Sequence, residues 1–358
     1  MKKRWKIALG AGGLLLAVVL TPILYIETAC DDPSEAVRPG APYRPILTAG
    51  PGRRKEARTW LTYPEWHIVY SAESFGRFLD TQPPSAFPYF RHIGSFWSSY
   101  CALNRVTAGS GGTQEAKVMI YTIGISFTVE LALKAIYENT VGRFFEWASG
   151  WRSADDRYAA RVQQRYGAFM HETPWYEFPF TTALSRLWQV EEPQLTGRHW
   201  ERRFALSTEY GLKAGYASVI GWASNSTLGP DQRTLRIVFP AGSDPMSLDP
   251  RIRFLGRTRT GLVVAEAPRY AQLTEILGRL AAARVDPVEI AGNDDIFLTA
   301  LVPQAAQAPA GPAVLLDMPL EDRAGWRRIG LSAKVSTLGD AMRAVAARGG
   351  EVEHVYDY

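Results

Sequence analysis

The chain has 358 residues, of which 46% are hydrophobic and 21% are charged. These values are typical of ordinary folded proteins and exclude a wholly disordered, collagen-like or coiled-coil chain. The net charge of +4 is too small to indicate a nucleic-acid partner, and two cysteines exclude both a disulfide scaffold and a four-cysteine zinc site.

The N-terminus has the pattern of a membrane anchor. Four basic residues within the first six precede a span from Ile7 to Ile26 that contains no charged residue. Twenty residues of helix extend roughly 30 Å, which is the hydrocarbon thickness of a bilayer. A cleaved signal peptide or an acylated Cys30 fits less well, because Glu27 stands where a small side chain is required. We expect residues 1–30 to be a cytoplasmic basic start and a retained anchor, with the bulk of the chain on the far side of the membrane.

Composition divides the rest of the chain into three parts. Residues 31–58 are rich in proline and glycine, which predicts a tether. Aromatic residues are frequent up to Gly229 and sparse beyond it, so we expect a helical, aromatic-rich domain over residues 59–226 and a second domain over residues 227–358. No internal repeat of fixed period is visible in the sequence.

The helical domain has clear start signals. Thr62 and Glu65 fit a capping box with Pro64 in the first turn, and Ser153 can cap a later helix. The segment 116–147 predicts one long helix or two abutting ones, and the last helix runs from about Gly197 to Trp222.

A polar stripe interrupts the otherwise apolar helix of segment 116–147. Its members recur every four residues: Thr122, Ser126, Glu130, Lys134 and Glu138. A helix that is apolar on most sides lies buried in protein or in lipid, so a second membrane crossing is an alternative to burial within the domain. Glu209 and Lys213 have the same spacing and polarity as Glu130 and Lys134. Antiparallel packing of the two helices would pair these charges in a buried seam.

The C-terminal part changes to strand patterns. Strands are predicted at 235–239, 252–255, 262–266, 288–290, 296–302, 314–316, 329–335 and 352–356, with helices at 268–283 and 336–347. We interpret this order as β-α-β-β, an insertion, and α-β, which suits a ferredoxin-like α+β sandwich. The whole chain is therefore predicted to be an α+β protein.

Few residues are candidates for chemistry. Glu65, His67 and His92 are weak catalytic candidates, since residues two apart on a helix do not share a face and Glu65 already has a capping role. His199 and His354 have no spaced partners, and Cys101 has the surroundings of a buried thiol. A disulfide between Cys30 and Cys101 is permitted outside the cytoplasm, but the sequence does not establish their proximity.

No nucleotide, metal, haem or hydrolase motif is present, and no cofactor or metal is predicted. The leading hypothesis is a membrane-anchored, non-catalytic protein whose helical domain lies near the bilayer or a membrane partner. Its C-terminal domain would bind a small apolar ligand or a protein, and a nucleic-acid partner is not expected. The alternatives are an enzyme acting on a lipid-like or apolar substrate and an envelope transport or assembly component.

Overall fold

The computed structural model describes residues 20–30, 43–48, 50, 52–54, 59–107, 114–224 and 233–357. The architecture is mixed α+β, with helices up to residue 224 and antiparallel strands with two further helices after residue 233. Residues 7–19 of the predicted anchor and the predicted domain boundary near 225–230 lie outside the described ranges.

The N-terminal helices follow the predicted order. Helix α1 covers residues 20–29. It is followed by α2 (Tyr63–Phe78), α3 (Tyr89–Thr107), α4 (Gln114–Tyr137), α5 (Arg143–Ser149), α6 (Ala154–Met170), α7 (Phe180–Leu187) and α8 (Gly197–Ser224). A π-helical turn, Glu138–Gly142, joins α4 to α5, so the predicted segment 116–147 consists of two abutting helices.

One of the two predicted caps forms. Ser153 and Asp156 make a reciprocal capping box at the start of α6, with both N–H···O distances at 3.1 Å. The capping box predicted for Thr62 and Glu65 is wrong, because the Thr62 hydroxyl donates to the carbonyl oxygen of Thr59, at 2.7 Å. A 3₁₀ turn immediately before α2 supplies that competing acceptor.

Helix α1 is fastened to the ends of α3 and α4. Cys30 and Cys101 form a disulfide, so the expectation of a buried thiol at Cys101 is corrected. The Asn104 amide donates to the carbonyl oxygen of Cys30 at 3.0 Å, and Lys117 lies 3.2 Å from Glu27. Packing of α1 against α3 brings together cysteines 71 residues apart, which sequence spacing does not reveal.

The C-terminal part contains eight strands in two sheets. The strands are β1 (Thr234–Phe239), β2 (Arg253–Arg257), β3 (Val263–Pro268), β4 (Glu289–Ile290), β5 (Asp295–Pro303), β6 (Ala313–Pro319), β7 (Trp326–Lys334) and β8 (Glu351–Tyr356). Helix α9 (Tyr270–Ala282) precedes β4, and α10 (Leu338–Ala347) precedes β8. The strand orders are β2-β3-β1-β4 and β6-β7-β5-β8, and every pairing is antiparallel.

The ferredoxin-like prediction is corrected by this pairing. Local sequence patterns predict the positions of the strands. The ferredoxin-like fold would place them in one sheet with two helices, but they form two four-stranded sheets, and one helix precedes the last strand of each. Strand β5 pairs with β7 and β8 instead of extending the first sheet. Strand pairing depends on long-range contacts, which a periodicity argument does not contain.

The two sheets are repeats of one β-β-β-α-β unit. Each unit places its second, third, first and fourth strands in that order. Each also has a bulge at the same register, between Phe254 and Gly256 in the first unit and between Val314 and Leu316 in the second. The sequence does not reveal this repeat because equivalent positions share strand pairing rather than residue identity.

Both units contribute to one apolar core. Leu277 on α9 and Met342 on α10 belong to the same cluster as Ile237 of β1 and Leu298 of β5. The outer face of the second sheet packs against α2. There the Trp66 ring stacks on His354 with 3.5 Å between ring centroids, which gives His354 a partner that its sequence spacing did not predict.

The chain between α1 and α2 also binds the C-terminal domain. We call its described residues, 43–48, 50 and 52–54, the strap. The fully buried carboxylate of Glu289 accepts hydrogen bonds from the Tyr43 hydroxyl at 2.7 Å and from the backbone N–H groups of Ile46 and Leu47 at 2.5 and 2.9 Å. The described part of the predicted tether is therefore bound along the first sheet.

Candidate functional site

Helices α4 and α8 meet through four charged side chains, which we call the seam. Lys134 Nζ lies 2.8 Å from Glu209 Oε1, and Lys213 Nζ lies 2.9 Å from Glu130 Oε1. The antiparallel packing therefore produces the juxtaposition that the sequence spacing predicts. The Glu130 side chain is 43% exposed and the other three are 22% exposed or less, so the seam is half-buried.

Arg198 forms a further set of ionic contacts near the start of α8. Its side chain is 1% exposed, and its guanidinium lies 2.7 Å from Asp156 and 3.0 Å from Glu201. It also lies 3.5 Å from Glu146 and donates to the carbonyl oxygen of Gly142 at 3.3 Å. A buried arginine requires this many acceptors, because desolvation of an unpaired charge is very costly.

Arg202 lies one turn further along α8. It donates to both carboxylate oxygens of Glu138, at 2.9 and 3.0 Å, in the bidentate geometry that favours arginine. Its Nε donates to Glu201 at 2.8 Å. We call the seam and this network together the charge layer. Its members are Glu130, Lys134, Glu138, Glu146, Asp156, Arg198, Glu201, Arg202, Glu209 and Lys213.

The π-helical turn shapes one side of the charge layer. A Cβ atom at Gly142 would lie 2.3 Å from Glu138 Oε2, so a larger residue would displace this carboxylate from Arg202. The turn also directs the Gly142 carbonyl oxygen toward Arg198. Such π-helical insertions are frequent at functional sites, and this one is part of the charge layer.

A small cavity of about 40 Å³ separates the seam from the arginines. Its polar lining includes Lys134, Glu138, Asp156, Arg202 and Glu209. A water molecule needs roughly 10–15 Å³ measured in this way, so the cavity has room for two or three waters. Pockets for organic ligands are much larger. The cavity therefore suits hydration of the charge layer rather than binding of an organic substrate.

Helix α8 buries its charged side chains beside part of its apolar surface and exposes the rest of that surface. Its charges face the interior, whereas Trp200, Phe204 and Leu212 are 54%, 67% and 71% exposed. Tyr216 and Val219 continue this apolar outer stripe at 51% and 63%. From Trp200 to Val219 the stripe spans roughly 30 Å along the helix. Soluble helices bury their apolar side, but membrane helices direct ionisable groups inward and apolar groups outward.

Helices α4 and α5 expose a similar surface. Leu133, Ile136, Phe144 and Trp147 are each at least 57% exposed. By length and composition the helical stretch Ala116–Ser149, which comprises α4, the π-helical turn and α5, could cross a membrane or lie in the core of a soluble protein. Only 33% of the apolar 18-residue segment within this stretch is buried. A large apolar area therefore lies outside the core.

The predicted polar stripe divides into parts with different surroundings. Glu130 and Lys134 belong to the seam, and Glu138 pairs with Arg202. The Thr122 hydroxyl instead donates to the backbone oxygen of Val118 at 2.8 Å, and Ser126 is exposed. The stripe is therefore not one continuous contact.

The three catalytic candidates do not form an acid–base site. His67 is buried, and neither of its ring nitrogens has a hydrogen-bond partner among the residues that the structure describes. His92 Nδ1 lies 3.0 Å from the hydroxyl of Ser71. Burial lowers the pKa of His67 to about 3 and that of His92 to about 4, so both are neutral packing groups near pH 7. Glu65 makes no hydrogen bond to His67.

His199 has a tertiary partner that its sequence context did not predict. Asp155, Glu192 and His199 place potential metal-ligating atoms within 4.8 Å of one another. His199 Nδ1 lies 2.6 Å from Asp155, the Glu192 carboxylate accepts from the N–H at the start of α6, and Arg203 lies 3.6 Å from Asp155. These contacts make the group a hydrogen-bonded junction between α6 and α8.

Sequence reasoning missed the arginines of the charge layer. Arg198, Glu201 and Arg202 are spaced three and four apart and so share one side of α8. Trp200 and Phe204 lie on the other side, but such a pattern ordinarily predicts that the aromatic side is buried. Comparison of the chain with family models, with curated proteins and with solved structures finds no match.

Proposed function

We propose that this is a membrane-anchored, non-catalytic protein whose helical domain contacts lipid. The contact surface is the apolar outer side of α4, α5 and α8, and the C-terminal domain is a binding module presented next to the membrane. The observation that carries the proposal is the exposed apolar stripe of α8, on which Phe204 and Leu212 face outward while Arg198 and Arg202 are buried.

A lipid environment accounts for both sides of α8. Outward apolar residues would be unfavourable in water, and charges directed inward avoid the cost of placing them in hydrocarbon. The wide distribution of the exposed apolar residues, over α1, α4, α5 and α8, also favours a bilayer over a single small ligand.

The disulfide supports the proposed orientation. Stable disulfides form in oxidising compartments and are rare in the cytosol. Cys30 directly follows the predicted anchor, and it is joined to Cys101 of the helical domain. We therefore infer that residue 30 and the helical domain lie on the side of the membrane opposite the basic N-terminus.

Cysteine accessibility tests the lipid contact. Leu212→Cys reports on the proposed surface, and Ala168→Cys is an exposed control on the charged side of α6. In membranes opened by osmotic shock, a polar maleimide should modify residue 212 at least roughly tenfold more slowly than residue 168, since thiols in apolar surroundings react slowly. Detergent should remove the difference. Equal labelling rates before detergent would show that α8 does not contact lipid.

Extraction tests the anchor independently. The full chain should stay in the membrane pellet after an alkaline carbonate wash, because a spanning helix resists extraction. Release of the intact polypeptide would contradict the anchor. A chain that stays in the pellet but is labelled equally at both positions would keep the anchor and exclude the lipid-facing helical domain.

A further inference from the structure

The β2–β3 hairpin of the first repeat combines exposed apolar and basic side chains. Phe254 and Leu255 are 48% and 38% exposed, and both belong to β2, which is an edge strand of its sheet. Arg257 and Arg259 are exposed in and just after β2, and neither makes an ion pair with any residue that the structure describes. The neighbouring Arg253 pairs with Glu266 at 2.5 Å.

The second repeat provides an internal comparison. Register equates Phe254, Leu255 and Gly256 with Val314, Leu315 and Leu316 of β6. Val314 is 44% exposed, similar to Phe254, but Leu315 and Leu316 are only 7% and 3% exposed, because this part of the strand lies against the helical domain. The position equivalent to Arg257 is Asp317, so the basic character belongs to the first repeat alone.

Protection of a sheet edge accounts for only part of this surface. Charged residues and a bulge on an edge strand discourage pairing with other strands, and β2 has both. Two large apolar side chains in the same strand have the opposite effect, since exposed apolar edges favour association. Their combination with Arg257 and Arg259, which form no ion pair with a described residue, is typical of surfaces that bind anionic bilayers.

We propose that the β2–β3 hairpin binds an anionic lipid surface. Arg257 and Arg259 would contact lipid phosphates, while Phe254 and Leu255 would enter the interface between headgroups and acyl chains. The inference rests on the proposed membrane anchorage, which keeps the domain close to lipid. An acidic polypeptide is the competing occupant, and the test below distinguishes the two.

The test uses the full chain in phosphatidylcholine vesicles, with or without phosphatidylglycerol. A fluorophore is placed on Thr260→Cys in the hairpin turn, which leaves the proposed contact residues unchanged. Ala324→Cys in the corresponding turn of the second repeat is the matched control. A quencher carried on lipid headgroups should reduce the emission at residue 260 only when phosphatidylglycerol is present, and high salt should reverse the effect.

Charge variants identify the contact. Replacing Arg257 and Arg259 by glutamate should lower the ratio of bound to free hairpin by roughly 30-fold or more, since each basic residue near an anionic surface changes this ratio about fivefold. Replacing both by lysine should preserve quenching, because the charge is retained.

Equal quenching at residues 260 and 324, or quenching that does not depend on phosphatidylglycerol, would overturn the inference. If the emission at residue 260 does not respond to lipid but does respond to poly-glutamate, the hairpin binds an acidic polypeptide. That result would overturn the lipid assignment. The Leu212→Cys probe in the same vesicles shows whether the helical domain contacts lipid, so failure of the hairpin inference is distinguishable from failure of the proposed function.

Discussion

Arg198 shows how a single buried charge requires a set of ionic partners in the helical domain. Its guanidinium is buried among Asp156, Glu201 and Glu146, where each charge needs the others. Removal of one partner from a buried ionic group typically costs about 3–5 kcal/mol, whereas a well-packed apolar replacement of the whole group can be neutral. We therefore expect the charge layer to add little net stability. Its main effect is to specify the packing arrangement of α4, α6 and α8.

The buried histidines predict a loss of stability in acid. The pKa of His67 is lowered from 6.5 to about 3 by burial, and that of His92 is lowered to about 4. Below pH 6.5 the unfolded chain binds protons that the folded chain excludes, so the free energy of unfolding falls as the pH falls. Each of these histidines should remove about 2 kcal/mol between pH 7 and pH 5.

Denaturation of the parent protein and of His67→Leu at both pH values measures this effect. The variant should lose about 2 kcal/mol less than the parent between pH 7 and pH 5, because it has one fewer histidine to protonate. An unchanged pH dependence would show that His67 can be protonated in the folded protein.

At the scale of elements, the seam sets the register between α4 and α8. The charges on each helix are four residues apart, so opposite charges face each other only when Lys134 contacts Glu209 and Lys213 contacts Glu130. Apolar contacts alone tolerate sliding of one helix along another, whereas paired charges penalise it. The apolar residues on the opposite side of α8, such as Phe204 and Leu212, lie on the outer surface.

A charge exchange tests the seam. Glu130→Lys and Lys213→Glu should each destabilise the protein by placing like charges together, and the double variant should recover part of the loss. We expect a coupling energy of about 1–2 kcal/mol, because these side chains are half-buried. The exposed pair Arg323 and Glu351 is the matched control, with an expected coupling below about 1 kcal/mol. Additive effects in the seam would mean that it contributes no specific contact.

At the scale of the whole molecule, two long-range connections hold α1 and the segment after it to the rest of the chain. The disulfide fixes the end of α1 to α3, and the strap fixes the following segment to Glu289 of the first repeat. The second repeat is held separately by α2, through contacts such as that of Tyr70 with Tyr356 at 3.2 Å between hydroxyl oxygens. Both repeats are therefore connected to the N-terminal part of the chain.

Glu289→Gln tests the strap. The carboxylate accepts three hydrogen bonds in a fully buried position, and the amide nitrogen of glutamine cannot accept any of them. We expect a loss of about 1–3 kcal/mol in the free energy of unfolding and faster tryptic cleavage after Arg53 and Arg54. Tyr43→Phe removes one donor and should have a smaller effect. Unchanged cleavage in Glu289→Gln would show that Glu289 does not hold the strap.

Local sequence patterns identified most elements because those patterns depend on neighbours along the chain. The helix cap at Ser153, the long helix from Gly197 and the eight strands were all predictable from spacing and composition. The seam was also within reach, since charges four residues apart on two helices have one obvious complementary arrangement.

Tertiary structure decided how these elements combine. Whether eight strands form one sheet or two depends on pairing between distant segments, and whether Cys30 meets Cys101 depends on helix packing. The orientation of α8 was undecidable for the same reason, because an amphipathic pattern states that two sides differ but not which side faces the protein. The sequence thus determined the local elements and their polarity, and only long-range packing decided that the charges lie inside.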